Sequence, residues 1–125
     1  GPEQFPRFDL ILLGLGEDGH TASLFPETPI LSEDKRLVAE TFVPQLRTSR
    51  ISMTFPTINH ARTVMFLVAG TAKAKILRNV LEGPFGVYPA QRIQPNDGTV
   101  QWLVDAEAAA FLSPQTVQQH VAHTL

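Results

Sequence analysis

The 125-residue chain contains no cysteine. That removes disulfides and thiolate metal ligands, and it fits a reducing compartment. No apolar run approaches the ~18 residues that a membrane-spanning helix needs. No amino-terminal signal-peptide pattern is present either. An excess of one charge is missing too. Ten basic residues stand against twelve acidic ones, the net charge is −2, and no Lys/Arg stripe occurs. Nucleic acid and anionic membranes are therefore not expected as partners. The chain shows no internal repeat, no linker and no G-x-S-x-G nucleophile elbow. Its four histidines and its acids adopt no recognised metal-ligand spacing, so no metal is expected.

What is present suits one globular domain. Hydrophobic residues make up 43% and charged residues 18%, enough apolar material for a core. Gly1-Pro2 reads as a candidate tag remnant. Residues 1–6 are set aside as a leader and 113–125 as a tail, helical or frayed, within a single α/β domain spanning 1–125. "FDLILLGL" (8–15) is a near-continuous apolar run, as in a parallel strand covered on both faces. "TASLFP" (21–26) reads as a short helix stopped by Pro26 and Pro29. "RLVAETFV" (36–43) is a strand ended by Pro44. "RISMTF" (50–55) alternates at the period of a strand, and "PTINHA" (56–61) is a short helix or turn.

"TVMFLVAG" (63–70) is the second strong buried strand. The helix that follows, 71–83, places Ala74, Ile76, Leu77, Val80 and Leu81 on one face. Thr71 is its expected N-cap and Gly83 its expected C-cap. Residues 84–98 read as loop, 99–105 as a strand and the alanine-rich 106–112 as a helix. Strands alternating with helices predict a mostly parallel sheet flanked by helices, three-layered and Rossmann-like.

In such folds ligands sit outside the carboxyl ends of the strands. The loop "GLGEDGH" (14–20) lies there. Gly14, Gly16 and Gly19 allow positive φ and close backbone approach, and their N–H groups can hold an anion or a developing oxyanion. Asp18 and His20 can point into one crevice. A carboxylate beside an imidazole orients it, which makes His20 a candidate general base. On the residues alone, plainer readings stand equally: Asp18 as an Asx-turn or helix cap, His20 as a satisfied core histidine. His60, His120 and His123 read as surface residues.

A second cluster opens the helix at 71. Lys73 sits in its first turn, where a cation opposes the helix dipole and a bound anion relieves the conflict. Arg50, at the head of its strand, is a third group able to converge on that anion. A solvated lysine and a surface arginine are the alternatives. Lys75 reads as solvated and Trp102 as core.

These segments resemble the 6-phosphogluconolactonase family, which also includes glucosamine-6-phosphate deaminases. The likeness runs through "FDLILLGLGEDGHTASLFP", "RISMTFPTINHARTVMFLVAGTAKAKIL", "YPAQRIQP" and "DGTVQWLVDAEAA", roughly residues 7 to 112. The resemblance implies that Asp18 and His20 are active-site residues and that Lys73, in G-x-x-K-A, binds the sugar phosphate. It places the family's strand-heading arginine on Arg50. It implies hydrolysis of 6-phosphoglucono-δ-lactone in the oxidative pentose phosphate pathway, in the cytoplasm, with a phosphosugar lactone as partner and no cofactor. The deaminase branch carries a glutamate five residues after the histidine. Here that residue is Phe25, so "HTASLFP" is the lactonase form.

Family members are about twice this long. The chain therefore looks like a carboxyl-terminal half, lacking the amino-terminal half of the domain. Two expectations follow: self-association through an exposed sheet edge, and, as the alternative function, a catalytically weak phosphosugar-binding fragment. Asn59 and Arg62 are given no role.

Overall fold

The computed structural model describes the backbone of residues 5–124 and the side chains of residues 5–121. The candidate tag remnant Gly1-Pro2 and the His123 side chain lie outside the described residues. Six strands and three α-helices are described. They are β1 (Leu10–Leu13), β2 (Val38–Val43), β3 (Thr48–Met53), α1 (Phe55–Asn59), β4 (Thr63–Val68), α2 (Ala74–Glu82), β5 (Thr99–Val104), α3 (Pro114–His120) and β6 (Val121–Thr124). Four strands form one parallel sheet in the order β1-β4-β5-β6. β2 and β3 pair antiparallel in a separate two-stranded sheet. The expected α/β architecture with a mostly parallel sheet is therefore present.

The sheet is built on its apolar alternation. Ile11 and Leu13, Val64, Phe66 and Val68, and Trp102 and Val104 point to one face and are buried. They share a core with Ile76, Leu77 and Val80 of α2, Ile58 of α1, and Leu24, Ile30 and Ile93 from the connections. At its centre Phe66 and Trp102, paired in register, stack with centroids 4.0 Å apart and planes 5° apart. On the other face Leu10, Leu12 and Leu67 remain exposed at 50%, 55% and 44%. Of the three layers expected, the described residues supply the sheet and one cover.

Several local expectations are corrected. Residues 21–26 form no helix. A bridge between Thr21 and Leu24, with Ala22 at φ 52°, makes a tight turn. Tertiary bonds determine it: the Thr21 hydroxyl donates to Gly14 O at 2.8 Å, and Ser23 N–H donates to Ser52 Oγ at 3.0 Å. Residues 106–112 form turns rather than a helix. Ala108 N–H goes to the Asp105 carboxylate, and Ala110 and Leu112 bond three residues back. A seven-residue alanine-rich stretch is too short for propensity to override such contacts.

The helix expected from residue 71 begins as a 3-10 turn at Thr71–Lys73, preceded by Gly70 at φ 96°. Thr71 is not the N-cap: Gly70 holds that position before the 3-10 turn and Lys73 holds it before α2, neither with a side-chain cap bond. Gly83 does end α2, but in an extended conformation. A Cβ there would lie 2.4 Å from Asn79 O, which explains the glycine. The tail is ordered as helix and strand: Ser113 caps α3 by accepting from Thr116 N–H at 3.2 Å, and β6 joins the sheet beside β5. His120 is exposed as expected, while His60 is half-buried.

Phe66 carries much of the core's packing. Phe66→Ala should lower the unfolding free energy by about 3–5 kcal/mol, read as a shift in the urea midpoint followed by circular dichroism.

Candidate active site

The parallel register places the carboxyl ends of β1, β4 and β5 side by side. Three turns leave from that end. The turn after β1 carries Asp18 and His20, and the turn after β4 carries Lys73. The turn after β5 opens at Asp105, which ties down the end of β4. Gly70 N–H donates to both of its oxygens at 3.1 Å, and its own N–H donates to Val68 O at 3.3 Å. Hydrogen bonds from Ala108 and Gly70 hold the Asp105 carboxyl below its usual range.

Asp18 Oδ1 lies 2.6 Å from His20 Nδ1 and also accepts the His20 backbone N–H at 3.0 Å. Partial burial pushes the Asp18 carboxyl up. Hydrogen bonds from the His20 ring and backbone, with the attraction between the two charges, outweigh that and hold it below the ordinary carboxylate range. Asp18 is thus ionised at neutral pH and can only accept. Nδ1 must then carry the shared proton, which leaves the Nε2 lone pair of neutral His20 available. Nε2 makes no hydrogen bond among the described residues.

The glycines have distinct duties. A Cβ on Gly16 would lie 2.0 Å from His20 Nδ1, so only glycine lets the ring approach. Gly19 adopts φ 83° beneath the Tyr88 ring, which a Cβ would meet at 2.5 Å. Gly14 needs neither freedom; its carbonyl accepts from Thr21, and a Cβ there would meet nothing within 4 Å. The N–H groups of Gly16 and Gly19 donate to His20 O and Gly16 O, both at 2.9 Å. They shape the loop and are not free for an oxyanion, contrary to expectation. The spacing of the three glycines, G-x-G-x-x-G, is also that of a dinucleotide-binding turn. That mode needs a helix directly after the loop, and a tight turn stands there instead.

His20 lies between two clefts. One, of 370 Å³, is lined by Gly14, Gly16, His20 and Lys73. The other, of 470 Å³, is lined by Asp18, His20, Phe25 and Arg50. Both fall within the usual size of small-molecule sites. Lys73 Nζ donates to Leu15 O at 2.5 Å, which fixes the ammonium beside the histidine loop and leaves two N–H donors. Arg50 projects from β3 and makes no ion pair among the described residues. The two cations thus flank His20 in separate clefts rather than lining one. Lys75 is exposed, and Trp102 is core.

Sequence reasoning missed the supports. Ala90 N–H donates to Gly19 O at 3.0 Å, and Gln91 Oε1 accepts from Val87 and Tyr88, holding Tyr88 against Gly19. Asn59, given no role, pins the 92–94 segment by donating to Arg92 O at 3.0 Å and accepting from Gln94 N–H at 2.7 Å. Arg62 forms an exposed pair with Asp9. The "YPAQ" motif was the one signal pointing to these contacts.

Residues 1–102 match the family model described as glucosamine-6-phosphate isomerases/6-phosphogluconolactonase. The chain belongs to this family. It is 49% identical over 112 residues to a 6-phosphogluconolactonase of Synechocystis sp., covering 88% of this chain and 45% of that one. The human 6-phosphogluconolactonase is 41% identical over 113 residues, covering 89% of this chain and 44% of its own length. Among solved structures, the 6-phosphogluconolactonase from Trypanosoma cruzi superposes with a TM-score of 0.74 at 37% identity, covering 86% of this chain and 42% of that one. The chain spans a little under half the length of these relatives. Among the described residues no helix is long and apolar enough to cross a membrane.

Gly16→Ala should leave the fold intact, because the obstructed group is a side-chain ring. It should displace His20 from Asp18. The Nδ1–H proton resonance of the hydrogen-bonded imidazole should disappear from the NMR spectrum while the thermal unfolding midpoint changes little.

Proposed function

We propose that this chain carries the proton-transfer and phosphate-binding parts of a 6-phosphogluconolactonase site, opening 6-phospho-D-glucono-1,5-lactone to 6-phospho-D-gluconate. The observation that carries this reading is the oriented His20, with Nδ1 held by ionised Asp18 and Nε2 unengaged, in one cleft with Lys73. An ester within a ring needs a deprotonated water and a proton for its departing oxygen. One imidazole supplies both in turn. Water attacks C1 as Nε2 takes its proton, and the carbonyl electrons move to oxygen. The tetrahedral species then collapses, the bond from C1 to the ring oxygen breaks, and Nε2 returns the proton to that oxygen. Asp18 stabilises the imidazolium between the two steps. Water is the only co-reactant, and no electrons leave or enter.

Lys73 binds the phosphate and so fixes C1 near the base. Arg50 reaches the same substrate from the other cleft. A cytoplasmic setting agrees with a sugar-phosphate substrate and a chain without cysteine.

A second reading has its own support. The uncovered face at Leu10, Leu12 and Leu67, and the partial span of the relatives, favour a phosphosugar-binding module that catalyses weakly alone. The same face, with β1 at the sheet edge and unpaired on its outer side among the described residues, favours association with another polypeptide, including a second copy.

Acid release from fresh δ-lactone, corrected for spontaneous opening, tests the catalytic reading. His20→Ala should reduce the enzymatic rate at least about 100-fold, and an unimpaired rate would remove His20 from the chemistry. Lys73→Met should raise KM far more than it lowers kcat. A chain that binds 6-phosphogluconate but never exceeds the background rate would support the module instead. In sedimentation, Leu12→Lys should shift the chain from associated species toward monomer; a clean monomer before substitution would count against the association.

A further inference from the structure

We propose that Phe25 is a positioning residue for His20, its ring setting the plane of the imidazole so that Nε2 is presented to the clefts. This rests on the lactonase reading for its consequence in catalysis, but not for its geometry. The Phe25 and His20 rings stack with centroids 4.0 Å apart and planes inclined by 20°. Phe25 is only 4% exposed, yet it lies outside the main core, into which its neighbour Leu24 is packed. A buried phenyl ring that contributes nothing to the central core needs another reason for its place, and the stacked imidazole supplies one.

The need for such a contact follows from the Asp18 bond. One hydrogen bond tolerates tens of degrees of angular play, so the Asp18 contact and the room at Gly16 restrain Nδ1 without by themselves setting the tilt of the ring. Turning would carry Nε2 away from a bound carbonyl. A stacked aromatic face removes that freedom. The backbone is secured for the task. Phe25 O accepts the buried Thr28 hydroxyl at 2.7 Å, and the Thr21–Leu24 bridge fixes the preceding turn. Phe25 also walls the cleft that holds Arg50, so the ring orients the base and excludes water from one side of it.

Phe25→Leu keeps the position apolar and removes the ring; Phe25→Tyr restores it. NMR of the histidine ring protons reads the geometry without any substrate. Stacking should shift the His20 ring protons upfield. Phe25→Leu should abolish that shift and the contact between the His20 and Gly16 protons, and Phe25→Tyr should recover both. Should Phe25→Leu not fold by circular dichroism, Phe25→Met answers the same question. In lactone hydrolysis, the ringless variant should lose about ten- to 100-fold in kcat with KM within about twofold, since Lys73 is untouched. Unchanged ring-proton shifts and contacts in the ringless variant would overturn the proposal. So would a moved ring with full kcat. If the parent chain fails to open the lactone, the lactonase reading fails, while the ring-proton measurement still decides whether Phe25 holds His20.

Discussion

The site depends on one short contact, the 2.6 Å approach of Asp18 Oδ1 to His20 Nδ1. Two residues apart in sequence, these side chains meet only because the chain between and around them is tightly wound. Gly16 gives the ring room, Gly19 takes a φ of 83°, and the Thr21 hydroxyl closes the loop onto Gly14. None of these contacts is strong alone. Their agreement makes the loop rigid, and a rigid loop can hold an ionised carboxylate against an imidazole with the other nitrogen left available.

The sheet explains why Lys73 is nearby. Parallel strands deliver their carboxyl ends to one side, so the turns leaving β1 and β4 are neighbours although more than fifty residues separate them in sequence. Asp105, at the end of β5, joins that arrangement by accepting from Gly70, the residue that opens the lysine turn. Arg50 arrives by a different route, on an antiparallel hairpin that is not part of this sheet. Hairpin and loop are tied where Ser23 N–H donates to Ser52 Oγ, two residues beyond the arginine.

Much of this was legible in the sequence, for physical reasons. Long apolar runs mark β1 and β4 as strands, and their inward residues Ile11, Leu13, Val64, Phe66 and Val68 are buried as such runs suggest. The helical spacing of Ala74, Ile76, Leu77 and Val80 marks α2 because that stripe faces the sheet. Asp18, His20 and Lys73 were recognisable as chemistry-bearing residues at strand ends. What failed to show was decided by contacts distant in sequence. Residues 106–112 have helical propensity, but the Asp105 carboxylate organises them otherwise. The turn at 21–26 follows bonds to Gly14 and Ser52, which local pattern does not encode. Tyr88, packed against Gly19, is 69 residues from it in sequence, and β6 lay in what read as a tail. The open sheet face is a property of packing. Leu10 and Leu12 alternate with Ile11 and Leu13, and composition alone makes all four look buried.

The stacked pair at the middle of the sheet has a spectroscopic consequence. Trp102 is the chain's sole tryptophan, and its indole lies flat against Phe66 between the strands whose ends carry Lys73 and Asp105. Emission excited at the red edge of the absorption, where Tyr88 does not absorb, therefore originates at one location. A change in its wavelength or lifetime reports on the spacing of β4 and β5, without any label attached.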